Sequence, residues 1–586
     1  MADPTNSEIA SALDELGDLY ELDGAIVHRI IAYRNAARAV RDATVSVSAL
    51  AREGHATRLP GIGDTIQEKV LALADEGAIP AAVRLRARFP MGVLEIMRLP
   101  GLGPKRARRL FEELSIDSLD ALEAAARDHR IRGLKGFGPR AEQGILESVA
   151  AARALAAAGE SGGRRVTLHR ALAAAEPLLE ALRAHPAALR VELAGSARRM
   201  VDTVKDLDIV AAASDPLALA RAATELEVVE SAQSPGEAGV RLRTHCGLAV
   251  DLRIVQADRF GNLLAHLTGS REHNVALREW AVRRGLHVSE YGVLDDATGE
   301  THRCATEEEV YALLGLDYIE PELREDRGEL QAAASGTLPL LIRGEDLRGD
   351  LHCHTTASDG TASVREMALA AREAGYEYLA ITDHSASLRL GEAVSPERVA
   401  GQAAQIRELS GTDAVGGITL LAGCEVNILP DGSLDCDDDT LRALDWVVAS
   451  VHSSFQMDAA AMTARIVRAI SNPLVDVIGH PSGRRLGRRP PYALDFEAVL
   501  EAARRTGTML EVNSSPERRD LDDPHARAAA QAGVPLVIDC DAHRSDGFAV
   551  RRYGIATARR AWLGPEAVAN TLPWEKIVAM RPRNRA

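Results

Sequence analysis

The chain has 586 residues, enough for several domains that each bury a core. Hydrophobic residues make up 46% of it, which excludes a disordered chain, and a net charge of −16 excludes a uniformly basic nucleic-acid coat. Its six cysteines form no C-x-x-C pair, no signal-like start is present and no apolar run is long enough to span a bilayer, so a soluble cytoplasmic protein without membrane contact is expected.

The front of the chain, to about residue 160, reads as helices broken by short glycine turns. Three segments share one pattern: Leu59-Pro60-Gly61-Ile62-Gly63, Leu99-Pro100-Gly101-Leu102-Gly103 and Leu134-Lys135-Gly136-Phe137-Gly138. Each precedes a helical run bearing Lys or Arg. Two glycines permit a tight turn whose backbone N–H groups face outward at a helix N-terminus, a cradle for a phosphate that reads backbone rather than base sequence. A basic run from Arg84 to Arg109 (Arg84, Arg86, Arg88, Arg98, Lys105, Arg106, Arg108, Arg109) is opposed locally by Glu95 alone. Turns and charge together point to DNA. The segments resemble helix-hairpin-helix motifs. Gly159 to Gly163 reads as a linker.

A helix over 167–184 and strands over 189–193, 206–211 and 248–255 are predicted next. Gly195-Ser196-Ala197-Arg198-Arg199 precedes Lys205-Asp206-Leu207-Asp208, and Asp251 lies on a later strand. Alternate strand residues share a face, so Asp206 and Asp208 point the same way. Three carboxylates suit two Mg²⁺ or Mn²⁺ ions of the kind that promote in-line phosphoryl transfer, and a Gly-Ser turn with an arginine suits a triphosphate.

This set resembles the nucleotidyltransferase superfamily. With Thr268-Gly269-Ser270-Arg271-Glu272-His273-Asn274, Arg278 and Glu290-Tyr291 it resembles the family X DNA polymerases from about residue 1 to 325. The resemblance implies Asp206, Asp208 and Asp251 as catalytic metal-binding carboxylates. It implies Ser196, Arg199, Gly269 and Asn274 at the incoming dNTP, Arg278 at the template, and Gly61, Gly63, Gly101, Gly103, Gly136 and Gly138 on the DNA backbone. Lys69 matches a lysine that forms a Schiff base in some relatives, although the second lysine often found four residues earlier is Thr65 here. Where many members carry Tyr-Phe this chain has His266-Leu267, which bears on sugar selectivity.

Residues 332–349 read as a second linker. Beyond them strand and helix alternate: apolar runs over 351–354, 378–383, 420–426, 446–452, 475–480, 508–513 and 535–540 are separated by helical patterns, the signature of a parallel α/β barrel or sheet. Histidines and carboxylates fall at or just after the ends of these runs: His352, His354, Asp359, His384, Glu425, His452, His480, Asp541 and His543. Ligands at the C-terminal ends of barrel strands converge on one mouth, and nine are too many for a single ion. The set resembles the PHP domain, which implies a distorted (βα)7 barrel with three divalent metals (Mn²⁺, Zn²⁺ or Fe²⁺). By that resemblance His352, His354, Glu425 and Asp541 hold one, Glu425, His452 and His480 a second, and Asp359, His384 and His543 the third. Arg484, Arg485 and Arg518 are candidates for gripping the DNA backbone.

The order implies a multidomain chain. It comprises a helical lyase-like domain (1–85), a fingers-type hairpin domain (86–160), an α+β palm (164–260), a thumb (261–325), a linker (326–348) and the PHP barrel (349–575). The expected activity is gap filling on gapped or nicked DNA in repair, with a 3′→5′ exonuclease and abasic-site cleavage in the barrel, by a monomer in the cytoplasm associated with the nucleoid. The alternative is a PHP phosphoesterase whose front half binds DNA but does not polymerise.

Overall fold

The computed structural model describes residues 3–158, 165–385 and 396–584, so the linker expected at Gly159 to Gly163 lies outside the described residues. The described chain divides into two compact units: 1–165 with 170–193 and 205–257, and 166–169 with 194–204 and 258–586.

In the first unit a helical front packs around Ile9, Leu13, Leu16, Val40, Val70, Leu94 and Leu110, all fully buried. Its first helix, Asn6–Asp23, starts at a capping box formed by Thr5 and Glu8 and ends on Gly24 in the left-handed conformation. The three glycine segments adopt one turn. The middle residue of each, Ile62, Leu102 or Phe137, is buried and donates its N–H to the carbonyl of Leu59, Leu99 or Leu134 at 3.0–3.1 Å. The first glycine of each takes positive φ, 83° at Gly61, 79° at Gly101 and 91° at Gly136, where a Cβ would be strained. The second glycine precedes the helices Asp64–Glu76, Pro104–Leu114 and Pro139–Ala158. Arg106 ties two turns together, donating to the Gly101 carbonyl at 2.8 Å and lying over the Phe137 ring.

The same unit carries a five-stranded sheet in the order Ala188–Ala194, Asp206–Ala213, Ala249–Val255, Gly239–Thr244, Val229–Ala232. The strands with the acidic residues are parallel neighbours, and the crossover between them brings in the helix Pro216–Thr224.

The second unit contains the thumb-type region and a seven-stranded, all-parallel sheet. Its strands follow chain order: Gly349–Cys353, Tyr378–Ile381, Thr419–Asn427, Trp446–Ser450, Val477–Ile478, Met509–Asn513 and Leu536–Asp539. A parallel bridge from Cys353 to Ala542 joins first strand to last and nearly closes a (βα)7 barrel. Buried on both faces, these strands are almost continuously apolar, as parallel strands must be.

The stretch 326–348, expected to be a free linker, is packed. It holds the helix Glu329–Ser335, and Leu330, Ala333, Leu341 and Ile342 are buried. Its apolar residues Leu330, Ala333, Leu341 and Ile342 lie against a core, while Ala334, Ser335 and Gly336 are exposed. Among the described residues no helix is long and apolar enough to cross a membrane.

Candidate metal centres and nucleotide-binding loop

All nine predicted ligands of the barrel come together at the C-terminal ends of its strands. His352 lies on the first strand and His354 one residue past it; His384 follows the second, Glu425 lies on the third, and His452, His480, Asp541 and His543 follow later strands. Asp359 comes from the loop after the first strand. Glu425 sits at the centre. Its Oε2 lies 3.5 Å from His352 Nε2, 3.6 Å from His354 Nε2 and 2.8 Å from His384 Nδ1. Its Oε1 lies 3.2 Å from His452 Nε2 and 3.1 Å from His480 Nε2. One carboxylate thus faces two groups of imidazoles through different oxygens, the geometry of a bridging ligand. Asp541 Oδ1 is 3.2 Å from His354 Nε2, and Asp359 approaches His384 and His543 at 3.4 and 3.3 Å.

Three clusters have ligand atoms close enough to share an ion: His354, Asp359, His384 and His543; His352, His354 and Asp541; His384, Glu425 and His452. The first two contain most of the groupings expected from sequence. The third joins His384 to Glu425 and His452, and His480, expected with that pair, lies 3.1 Å from the Glu425 oxygen that His452 also faces.

Neighbouring acceptors, two side chains and one backbone carbonyl, set the tautomers. His352 Nδ1 donates to Glu511 at 2.7 Å, His452 Nδ1 to Asn427 Oδ1 at 2.6 Å and His543 Nδ1 to the Asp541 carbonyl at 2.8 Å, which turns each Nε2 toward the cluster. Asp383 accepts from Thr355 and Ser358 and fixes the loop that carries Asp359. His480 and Asp541 hold left-handed backbone, φ 31° and 53°, a strain of about 1–3 kcal/mol each that the barrel must outweigh.

The electrostatics call for cations. Against the pull of burial, Glu425 and Asp359 push His384 up to about 10. Burial, with His384 and His543 alongside, pushes His354 down to about 4, and burial with Arg518 pushes His480 down to about 3, so both stay in the neutral form that ligates. Despite their burial, Glu425 and Asp541 are held well below the usual carboxylate range by the surrounding histidines. His352 Nε2, both nitrogens of His354 and His384 Nδ1 are buried without a hydrogen-bond partner, a cost that metal coordination removes. The donor set of imidazole and carboxylate fits divalent transition metals.

Glu511 is the residue the sequence reading missed. It is buried in the strand Met509–Asn513, accepts from His352 and takes the His480 N–H at 2.5 Å. An acid inside an otherwise apolar run was the available signal, since such a group is rarely buried unpartnered. Arg484 corrects another expectation. It is buried and committed to Asp202 and to the Arg519 carbonyl, so it has no free fork for DNA. Arg485 pairs with Glu517, and Arg518 lies 3.4 Å from Asp541.

On the five-stranded sheet Asp208 and Asp251 are directly opposite in register, and Asp206 stands two residues earlier on the same strand face. Asp206 is exposed and Asp208 and Asp251 half-buried; Arg241 lies 3.9 Å from Asp251. These carboxylates group with the first unit, while Ser196 and Arg199 group with the second. There the short helix Gly195–Arg198 is held by Arg198, which pairs with Glu307 and donates to Thr268 Oγ1 at 2.7 Å. Arg199 Nε bonds Glu325 at 3.1 Å and its Nη1 donates to the Thr268 carbonyl. Gly269, at φ 67°, lets the backbone pass beside Arg199, and Asn274 donates to the His266 carbonyl at 2.7 Å. Arg278 is exposed on the helix Arg271–Val282.

The basic run of the front unit is less free than its sequence suggested. Arg86 pairs with Glu15, Arg88 with Asp23, Arg98 with Asp18, Arg108 with Glu112 and Arg109 with Glu113. Among the described residues Arg84 and Lys105 carry no ion pair. Lys69 is half-buried on Asp64–Glu76, and no described carboxylate pairs with it.

Residues 263–325 match the DNA polymerase beta thumb and 350–515 the PHP domain, while 4–79 match a helix-hairpin-helix domain and 93–151 a SAM-like helix-hairpin-helix tandem. Hairpins, a polymerase-type thumb and a PHP barrel on one chain define the class as a family X polymerase architecture. The chain is 36% identical over 581 residues to the DNA polymerase/3′-5′ exonuclease PolX of Bacillus subtilis, covering 98% of this chain and 99% of that protein, and it belongs to the PolX family. The barrel alone resembles shorter proteins. It is 32% identical to a probable phosphatase of a Thermoanaerobacter species, over 38% of this chain and 89% of that one, and 33% identical to a probable phosphatase of Acetivibrio thermocellus, over 35% and 82%.

Proposed function

We propose that this chain is a DNA polymerase that fills short gaps during base excision repair and whose barrel is a 3′→5′ exonuclease that also cuts at abasic sites. The observation that carries the reading is the presence, in a chain that matches PolX over 98% of its residues, of two groups of potential metal ligands. One comprises Asp206, Asp208 and Asp251 on paired strands; the other is the nine-residue cluster of the barrel.

In this reading Asp206, Asp208 and Asp251 hold Mg²⁺ or Mn²⁺, which supplies charge stabilisation for phosphoryl transfer when bound. Ser196 and Arg199 take the triphosphate, Gly269 and Asn274 line the incoming nucleotide, and Arg278 contacts the template. The hairpin glycines hold the DNA backbone of gapped or nicked substrates. His266-Leu267, both half-buried at the end of the helix Phe260–Thr268, replace the pair that seats the sugar and relax discrimination against ribonucleotides. Lys69 is the candidate lyase nucleophile.

The barrel takes three divalent ions, Mn²⁺, Zn²⁺ or Fe²⁺. His352, His354, Glu425 and Asp541 would hold one, Glu425 with His452 and His480 a second, and Asp359, His384 and His543 the third, where the ions would supply charge stabilisation for phosphodiester cleavage. The chain's own part is to orient each Nε2 through Glu511, Asn427 and the Asp541 carbonyl. Arg518, beside Asp541, is placed to hold a phosphate of the 3′ end. The protein works as a monomer in the cytoplasm, at the nucleoid.

A gapped DNA with a labelled primer tests this. With Mn²⁺ or Mg²⁺ the primer shortens without dNTPs and lengthens with them. Shortening alone, whatever the dNTP concentration, supports instead a phosphoesterase with a silent front half.

A further inference from the structure

The loop that carries Ser196 and Arg199 is held by side chains of the barrel. Asp202, three residues past Arg199 and four before Asp206 in the chain, accepts from Arg484 Nη1 at 2.8 Å and lies 3.3 Å from Arg519 Nη1. Both arginines are buried, Arg519 to 1% exposure. Arg519 Nε is satisfied by Thr557 Oγ1 at 3.1 Å, but its Nη1 and Nη2 have no hydrogen bond among the described residues. Asp202 is therefore a principal source of the negative charge that makes this guanidinium pair tolerable in the interior. A second tie acts on Arg199 itself. Arg560, on the barrel helix Arg551–Arg560, donates to the Arg199 carbonyl at 2.9 Å and to Glu325 at 2.8 Å, and Glu325 holds Arg199 Nε.

The same arginines border the metal cluster. Arg484 is four residues past His480. Arg519 is adjacent to Arg518, whose Nε is 3.4 Å from Asp541, and Asp520 accepts the Ser482 N–H at 3.1 Å, tying the two segments together. Neutralising Asp202 leaves two buried cations short of charge, so both segments must relax. That relaxation shifts the loop on one side and Arg518 on the other.

We propose that Asp202 is a positioning residue shared by the two activities: gripped by Arg484 and Arg519, it fixes the loop that takes the triphosphate and keeps Arg518 in place at the metal cluster. The proposal rests on the reading of Ser196 and Arg199 as triphosphate contacts and of the barrel as a nuclease.

The test uses the full chain with Asp202→Asn. It measures gap filling across dNTP concentrations, release of label from a 3′-labelled strand without dNTPs, and thermal unfolding. In the folded variant the dNTP KM rises roughly five- to tenfold while kcat stays within about twofold, and the nuclease rate falls by a similar factor. Unchanged KM and nuclease rate in folded D202N overturn the proposal, as do losses that merely track the folded fraction. Should D202N not fold, Arg484→Lys keeps the cation but loses the fork. A raised KM at constant kcat then supports the proposal and an unchanged KM overturns it. Arg199→Ala separates the two levels of inference. If it leaves KM unchanged, the triphosphate reading has failed; if it raises KM and D202N does not, only the role of Asp202 has failed.

Discussion

The two candidate metal centres of this chain are built in opposite ways. In the barrel the ligands lie at strand ends or in the loops just after them, most are buried, and two side chains and one backbone carbonyl fix three of the imidazole tautomers. On the five-stranded sheet two adjacent strands supply three carboxylates, one of them exposed. Buried imidazoles without hydrogen-bond partners are costly until an ion coordinates them, so the barrel site favours resident metal. Partly exposed carboxylates remain solvated without an ion and suit metal that arrives with a nucleotide. In the proposed reading, the difference separates a permanent metal centre from one assembled at each turnover.

The largest expected effects come from removing the resident metal. Prolonged chelation followed by dialysis into Mg²⁺ should abolish label release while sparing primer extension, and should lower the melting temperature of the barrel, since the bound ions stabilise the native state by linkage. Recovery of both on adding Mn²⁺ checks the assignment by calorimetry and by gel. An unchanged melting transition would argue against resident metal.

Glu511→Gln probes the tautomer control. The variant should lose about 10- to 100-fold in metal affinity or nuclease rate, the range for partners of ligating histidines, with primer extension intact. Metal content after gel filtration measures it.

Glu307→Gln acts on the loop that carries Ser196 and Arg199, in the same unit as the barrel. Despite desolvation, Arg324 and Arg198 hold the Glu307 carboxyl down at about 2, against an ordinary value of 4.5. A lowered folded-state value means the stabilisation is complete above about pH 4.5 and is lost as pH falls from there toward 2. The variant should therefore be destabilised by about 3 kcal/mol at neutral pH, because buried Arg324 and half-buried Arg198 lose their partner. Denaturant midpoints of variant and wild type should converge as pH falls toward 2.

The smallest expected effect is at Lys69. If it is the lyase nucleophile, borohydride should trap the chain on a 5′-deoxyribose phosphate, and Lys69→Ala should remove the adduct while gap filling proceeds. Equal trapping by the variant assigns the chemistry to another amine.

The ligands of the barrel were legible because strand periodicity places residues at strand ends and the chemistry of those residues is distinctive. Glu511 was hidden because its strand reads as core, and only its buried charge marks it. The hairpins were legible as repeats, but the freedom of their basic run was not. Its acidic partners Glu15, Asp18 and Asp23 lie on the first helix, far away in sequence. A charge count along the chain cannot register a pairing made by folding. The stretch 326–348 looked like a spacer because alanine and glycine recur in it, yet Leu330, Leu341, Ile342 and Leu347 are buried. Nothing in the sequence marked 194–204 as part of the thumb and barrel unit. Within that unit Asp202 pairs with Arg484, separated from it by hundreds of residues.

The most direct test of two independent, opposed centres is the fate of one 3′ end in two variants. On a labelled gapped primer with dNTPs and Mn²⁺, Asp206→Ala/Asp208→Ala should only shorten the primer and His352→Ala should only extend it. Loss of both activities in either variant, or persistence of shortening in His352→Ala, would contradict the account.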